Sequence, residues 1–469
     1  MNIAFVHYHL KTGGVTTVLR QQIEAVHAGN RVLVLTGSPP EPAFPAPIAV
    51  IKGLGYDNPS RAAPPPEKVA ESMIKAIHAH FGGNCHVLHV HNPTLAKNTH
   101  FLKILQLLQQ EKLNLLLQIH DFAEDGRPQS FFNEAYVSDC HYGVINSRDY
   151  ELLQKAGLKS EGLHKIYNTV KGFKFTSEPP ATDDRVLYPV RAIRRKNIGE
   201  AVLLSLFFRN GETLAITQPP NSPTDFPSYK AWKAFVDKHH LRVEFEAGVC
   251  RDFNELVQTS KFLITTSITE GFGFSYLEPW LANKLLWGRK LPDICFDFEK
   301  NGIQLQHLYT QLHVPLKWID VQKLYAQWTA CVEHNCKLFN FPLKKIDPEK
   351  AFAIITTNGV IDFGLLNEYF QKSIISHVLS HSPAADELIR LNPVLAAPGS
   401  VPDSNQLILS NRAAVRRNYS RSLYQKTLLE AYRRIVHTKV KHKIDKQKLL
   451  AYFLDLTKFS LLKWCKWDG

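Results

Sequence analysis

Strand-like and helix-like stretches alternate along this chain in two separate runs, and such alternation commits each run to a parallel sheet covered by helices. The first run starts at NIAFVHYHL, reaches Gly13 and Gly14 at its first turn, and continues through VTTVLRQQIEAVHAGN to a second strand, RVLVLTG. The second run starts at VLYPVRAIRRKNIGEAVLLSLFF, again a strand, a turn and a helix. Between them lies KFTSEPPATDD, polar and holding two prolines, which reads as a linker. Two facing doubly wound Rossmann-like domains with a cleft between them are therefore the predicted α/β architecture. No close internal repeat accompanies the two runs, so they are alike in architecture only.

With 469 residues and 53.3 kDa the chain is long enough for two or three domains with their own cores. Its 44% hydrophobic and 21% charged content is ordinary for a soluble globular enzyme. No uninterrupted apolar run approaches the roughly 18 to 20 residues that span a bilayer. The opening MNIAFVHYHL has no basic region ahead of its apolar residues and no small-residue cleavage site, so it reads as a first strand, and a cytoplasmic location is expected. Seven cysteines without regular spacing predict free thiols, and CVEHNC, around His334, lacks the second ligand pair of a zinc knuckle. Neither a dinucleotide fingerprint nor a P-loop is present. The net charge of +13 is concentrated at one end: from Arg412 onward there are fifteen Lys or Arg against four Asp or Glu.

The most informative stretch is TTSITEGFGFSYLEPWLANKLLWGR, Thr265 to Arg289, which follows the apolar strand KFLIT and reads as a turn ending in an apolar helix. It carries Glu270 and Glu278 with Gly271 and Gly273 between them. Glycine lets a backbone approach a ligand closely, and amides opening a helix favour an anion. The alternative is a capped helix with two solvated glutamates. Earlier in the second run, Arg191 and Lys196 flank Arg194 and Arg195 at a strand end. A guanidinium fork with a mobile ammonium suits a diphosphate, whereas the alternative is a solvated basic face. In the first run, His120 and Asp121 end the apolar strand LNLLLQIHD, at the sheet edge where α/β folds present functional side chains. The competing reading is a histidine merely stabilised by its Asp neighbour. His89 and His91 share one face of HVLHVH and are expected to line a pocket or bond locally, not to hold a metal.

Glu270-x7-Glu278 in the setting S-x-x-E-G-F-G, starting at Ser267, resembles the signature of retaining glycosyltransferases of the GT-B fold, family 4. Arg191-x4-Lys196 resembles the diphosphate clamp of the same family. The resemblance implies a hexosyltransferase that uses a nucleoside diphosphate sugar and keeps the anomeric configuration. It implies that Glu270 holds sugar hydroxyls, Glu278 the ribose hydroxyls, and His120 the transferred sugar. Gly13 and Gly14 would lie over the donor phosphates, and Ser267, Gly271, Phe272, Gly273 and Asn168 would complete the donor site. Ser147 and Asn168 match the family's closing Asn-Ser and I-x-N strands, which sets the first domain at residues 1–172, the linker at 173–184 and the second domain at 185–411. Basic helices over 412–469 would cross back onto the first domain. Two departures stand out: Val190 and Asn197 occupy positions where relatives often carry glycine. Residues of about 300–410 match no part of the family pattern.

No D-x-D pair sits at a suitable strand end, so charge is expected to be neutralised by side chains with no cofactor or divalent ion required. The expected partners are the donor, a hydroxyl acceptor and, through the basic C-terminus with its Leu, Phe and Trp residues, an anionic membrane surface. Nucleic acid is not expected. The alternatives are a sugar-nucleotide epimerase or phosphorylase of similar architecture, or a binding protein that uses the basic tail alone.

Overall fold

A computed structural model describes residues 1–40, 44–58, 60, 62–173, 175 and 182–467. Of the expected linker, residues 174 and 176–181 lie outside the described residues. The chain divides into two compact units, Met1–Val170 with Asn418–Phe453, and Lys171–Arg417 with Leu454–Gly469.

The first unit is built on seven parallel strands: β1 (Asn2–His7), β2 (Arg31–Thr36), β3 (Ile48–Val50), β4 (Val87–His91), β5 (Leu115–Gln118), β6 (His141–Val144) and β7 (Leu163–Lys165). Their order, β3-β2-β1-β4-β5-β6-β7, reverses direction between β1 and β4. In open α/β sheets that reversal is where ligands are held, outside the carboxyl ends of the strands. β1, β4 and β5 are buried along nearly their whole length, which is why their sequences read as continuous apolar runs with no in/out alternation. On one face the C-terminal helix Arg421–His437 joins the core through Tyr424, Leu428, Ala431, Tyr432 and Ile435, packed with Ile3, Phe5 and Ile23. Leu423, at helical spacing from Leu428 and Ala431, is nevertheless exposed. It sits in the first turn, just after the Ser420 cap. On the other face Ile444, Leu449 and Phe453 complete the core.

The second unit has five parallel strands: β8 (Arg185–Arg191), β9 (Thr213–Gln218), β10 (Val243–Glu244), β11 (Phe262–Thr265) and β12 (Leu286–Gly288), in the order β10-β9-β8-β11-β12. The reversal here falls between β8 and β11, so the basic turn and the glutamate turn leave neighbouring strands on the same sheet edge. The apolar helix expected at the end of the glutamate stretch is only one turn, Glu278–Leu281. Asn283, in the left-handed conformation, stops it, and Leu286 and Trp287 then pair with Leu263 and Ile264 as β12.

The region of about 300–410 is part of this second unit. It contains the helices Val321–Leu338, Pro348–Ile355, Glu368–Ser380 and Ser382–Leu391, and two short antiparallel strands, β13 (His313–Pro315) and β14 (Val360–Asp362). Arg289, directly after β12, anchors it. The fully buried guanidinium donates to Glu200 at 2.8 and 2.6 Å and to Asp362 at 2.8 and 2.7 Å, while Tyr309 donates to Glu200 at 2.8 Å.

The basic C-terminal stretch therefore serves both units. The apolar face considered for membrane contact is spent on burial: Leu449, Leu450 and Phe453 in the first unit, and Phe459, Leu461, Leu462 and Trp464 in the second. Among the described residues no helix is long and apolar enough to cross a membrane.

Candidate functional site

β8 ends at Arg191, and Arg194–Lys196 then form a single 3-10 turn ahead of the helix Ile198–Ser205. This turn is stitched to the glutamate turn through the backbone. The Tyr188 hydroxyl donates to the Lys196 carbonyl at 2.7 Å, Thr266 Oγ1 donates to the carbonyls of Lys196 and Asn197 at 3.0 and 3.1 Å, and the Ile268 amide donates to the Arg195 carbonyl at 3.1 Å. Two loops far apart in sequence are thus held as one rigid edge.

On that edge the Lys196 ammonium pairs directly with the Glu270 carboxylate, and Arg195 lies 3.4 Å from the second oxygen of Glu270. Both members of the close pair are largely shielded, with side chains 13% and 9% exposed. Burial pushes the Glu270 carboxyl up, but the cations of Lys196 and Arg195 outweigh it and hold the group below its ordinary value. Burial also pulls the Lys196 ammonium down, and Glu270 offsets only part of this. Arg191, partly buried, makes no ion pair among the described residues. Arg194 is committed elsewhere: it grips Glu368 at 2.6 and 2.9 Å and donates to the Cys465 carbonyl, so it holds the unit together and adds no available cation.

The departure at Asn197 has a physical explanation. Its backbone is left-handed, with φ 52° and ψ 57°, a conformation that favours glycine and that asparagine tolerates better than most residues. Asn197 Nδ2 donates to Glu200 at 2.7 Å and its Oδ1 accepts from Gln371 at 2.9 Å. At the other departure, Val190 is a buried strand residue.

Within the glutamate turn the residues divide by role. Gly273 has φ +90°, and a Cβ there would meet Ile294 at 2.9 Å, so local structure alone requires glycine. The Phe272 ring is buried against Phe274 and Phe298. Gly271 is partly buried beside it. Ser267 is fully buried, 3.3 Å from the Tyr188 hydroxyl, and its hydrogen bond helps keep Glu270 ionised.

Glu278 opens the one-turn helix, next to an apolar hollow lined by Phe173, Pro189, Phe253 and Leu263. So short a helix offers little dipole to an anion, and the charge on this edge comes from side chains. Burial, countered by Lys196 and reinforced by Glu270, raises the Glu278 carboxyl to about 7. The folded chain therefore keeps this proton at pH values where the unfolded chain releases it. That contribution to stability is complete below the ordinary value of 4.5 and is lost as pH rises through about 7. Glu278→Gln removes the titration, so the variant is expected to gain thermal stability relative to the native chain between pH 5 and pH 8. A difference in melting temperature that does not change with pH would contradict this.

In the first unit, His120 follows β5 and its amide is held at 2.8 Å by the side-chain oxygen of Asn92, itself left-handed after β4. The ring of His120 stacks on His91 and hydrogen-bonds to it, whereas Asp121 pairs with Arg127 at 2.8 Å. The ring's hydrogen-bond partner is thus His91, and not the Asp neighbour of the competing reading. Gly13 is extended, at φ 177°, and Gly14 begins the helix Gly14–Val26. A Cβ on Gly14 would touch nothing within 4 Å and one on Gly13 only the Lys11 carbonyl at 3.9 Å, so packing gives no reason for either glycine. Asn168 is buried with its side-chain oxygen unpartnered, and Ser147 accepts from Lys165 at 2.7 Å. Among the described residues no group of three or more His, Cys, Asp or Glu is arranged to hold a metal ion.

The predicted residues thus gather as two sets: Arg191, Lys196, Ser267, Glu270, Gly271, Phe272, Gly273 and Glu278 at the β8/β11 edge of the second unit, and His120, Gly13, Gly14 and Asn168 in the first. Residue patterns missed Asn92 and Tyr188, which hold the backbones of His120 and Lys196. Only the Asn-Pro of HVHNP, a turn signal, pointed to the former.

No protein-family model matches the chain. A curated relative, mannosylglucosyl-3-phosphoglycerate synthase of Petrotoga mobilis, is 25% identical over 375 residues, which cover 70% of this chain and 72% of the relative. Among solved structures, sucrose-phosphate synthase from Thermosynechococcus elongatus is similar with a TM-score of 0.55 at 15% identity, covering 92% of this chain and 98% of that one. HepE from Anabaena, in complex with UDP-glucose, gives a TM-score of 0.53 at 13% identity with 92% and 98% covered. The chain has the two-domain α/β fold of the GT-B glycosyltransferases, and sequence and fold together set it among glycosyltransferase enzymes.

Proposed function

We propose that the chain is a retaining hexosyltransferase of family 4, acting in the cytoplasm on a nucleoside diphosphate sugar and a hydroxyl acceptor. The observation that carries this reading is the shielded Lys196–Glu270 pair on the same sheet edge as Arg191. In this reading the donor diphosphate draws Lys196 and Arg191 to its oxygens, and Glu270, released from Lys196, accepts hydrogen bonds from sugar hydroxyls. Glu278 holds the ribose, and the backbones of Gly13, Gly14, Gly271 and Phe272 approach the donor, with Ser267, Gly273 and Asn168 supporting the site. His120 contacts the transferred sugar.

The bond from the anomeric carbon to the diphosphate breaks as the acceptor oxygen bonds to the same face, and the acceptor proton passes to the departing phosphate. Cations fixed in a shielded place stabilise the charge that develops there with little reorganisation. A short-lived ion pair is the favoured route, because in this reading Glu270 is taken up by sugar hydroxyls and Glu278 by the ribose, which leaves neither carboxylate to attack carbon. No cofactor is required in this reading. UDP-glucose, present in the HepE complex, is the first donor to try, and a phosphoglycerate-bearing acceptor is suggested by the name of the curated relative.

The test is a panel of nucleotide sugars read by thermal shift and slow hydrolysis, since a ligand that binds only the folded chain raises apparent stability by mass action. One donor should raise the melting temperature and release its nucleoside diphosphate, and NMR of the transfer product should show the donor's anomeric configuration. An inverted product would remove the retaining assignment. A modified free nucleotide sugar would favour the epimerase.

A further inference from the structure

His91 and His120 form a buried pair whose hydrogen-bonding possibilities are tightly restricted. His91 Nδ1 lies 2.8 Å from His120 Nε2, with the rings stacked at 5.1 Å and 17°. The other nitrogen of His91, Nε2, is buried and has no partner. Around it stand Phe5, His89 and His7, ring-packed against His91 at 6.3, 4.7 and 6.1 Å.

Burial keeps both imidazoles neutral at physiological pH: His120 falls to about 4 and His91 is also pushed well below its ordinary value. A neutral imidazole carries a single proton, so one nitrogen donates and the other accepts. An orphaned buried N–H is costlier than an under-used lone pair, so the proton of His91 belongs on Nδ1, where it has a partner, and not on the orphaned Nε2. His91 is then the donor in the pair and His120 Nε2 the acceptor. The proton of His120 is left on Nδ1, the nitrogen that makes no hydrogen bond among the described residues.

We propose that His91 is a positioning residue that fixes His120 as the Nδ1–H tautomer, so that His120 meets its ligand as a hydrogen-bond donor to an oxygen lone pair and not as a base. The ligand oxygen, a sugar hydroxyl, rests on the proposed transferase reading. The tautomer does not.

The two ideas are tested separately by long-range proton–nitrogen NMR of the imidazoles in the ligand-free full chain. His120 should show a protonated Nδ1 and a bare Nε2, and His91 the same. His91→Asn keeps an N–H near the position of Nδ1 and should preserve the His120 tautomer. His91→Phe removes the donor and should shift His120 toward the Nε2–H form, with a fall in kcat of roughly tenfold or more and a much smaller effect in the Asn variant. A protonated Nε2 on His120 in the native chain overturns the proposal whatever the variants do, so it remains falsifiable even if His91→Phe fails to fold. The predicted tautomer in a chain that turns over no nucleotide sugar would instead sink the transferase reading and leave the assignment standing.

Discussion

Lys196→Ala and Glu270→Gln are each expected to lower sugar transfer by roughly two orders of magnitude or more, the usual consequence of deleting one preorganised charge contact from a transition state. In the ligand-free chain the two groups neutralise each other, so each is kept charged by the other in a place that would otherwise discourage charge. Lys196→Ala removes the cation meant for the diphosphate and leaves Glu270 with Arg195, at 3.4 Å, as its paired cation. Glu270→Gln keeps hydrogen-bonding capacity but leaves Lys196 shielded without its paired carboxylate, with only the weaker influence of Glu278 to hold its charge. The ammonium then tends to lose its proton, and with it the ability to stabilise a leaving group. Each variant should remain folded, because Tyr188, Thr266 and Ile268 fasten the loops through backbone groups that neither change touches. Turnover measured alongside circular dichroism decides the matter. Near-normal rates in both variants would remove these residues from the chemistry.

The second large effect concerns stability. Arg289→Leu should destabilise the second unit by about 3–5 kcal/mol, since removing one partner strands the others as buried charges. Two carboxylates, Glu200 and Asp362, surround this guanidinium, and both are bonded to it twice. The deficit should shrink as pH falls, because Glu200, already pushed up by burial and no longer countered by the guanidinium, can then take up a proton. Chemical denaturation followed by tryptophan fluorescence is well placed to see this, with Trp287 fully buried two residues away. A loss below about 1 kcal/mol, or one insensitive to pH, would show that the network is not a net anchor for the region of about 300–410.

Much of the second-unit site was legible because its signals are local. A strand, a turn and a helix occur within about thirty residues, so Arg191, Lys196, Glu270 and their strand ends could be read from short stretches. What stayed hidden depends on partners far away in sequence. Arg194 looks like Arg195 and Lys196 until Glu368 claims it, 174 residues further on. The pairing of Lys196 with Glu270 spans 74 residues and follows only once β8 and β11 are known to be neighbours. The over-long helix after Glu278 was a failure of periodicity: LANKLLWGR is apolar enough for helix or buried strand, and the left-handed Asn283 settles it. Asn197 shows the converse, a departure from a familiar pattern that the backbone absorbs without a change of shape.

The division of the C-terminal stretch has a bearing on how the molecule is made. Part of the covering on both faces of the first sheet, from Tyr424 to Phe453, is synthesised only after the strands of the second unit, although the strands it protects precede them. Domains that are contiguous in sequence fold as they emerge, N-terminal first. Here the strands of the first unit must wait, with apolar surface uncovered, until the second unit's sheet has been synthesised, which makes this nascent chain a client for chaperones and residues 1–170 a poor candidate for expression alone.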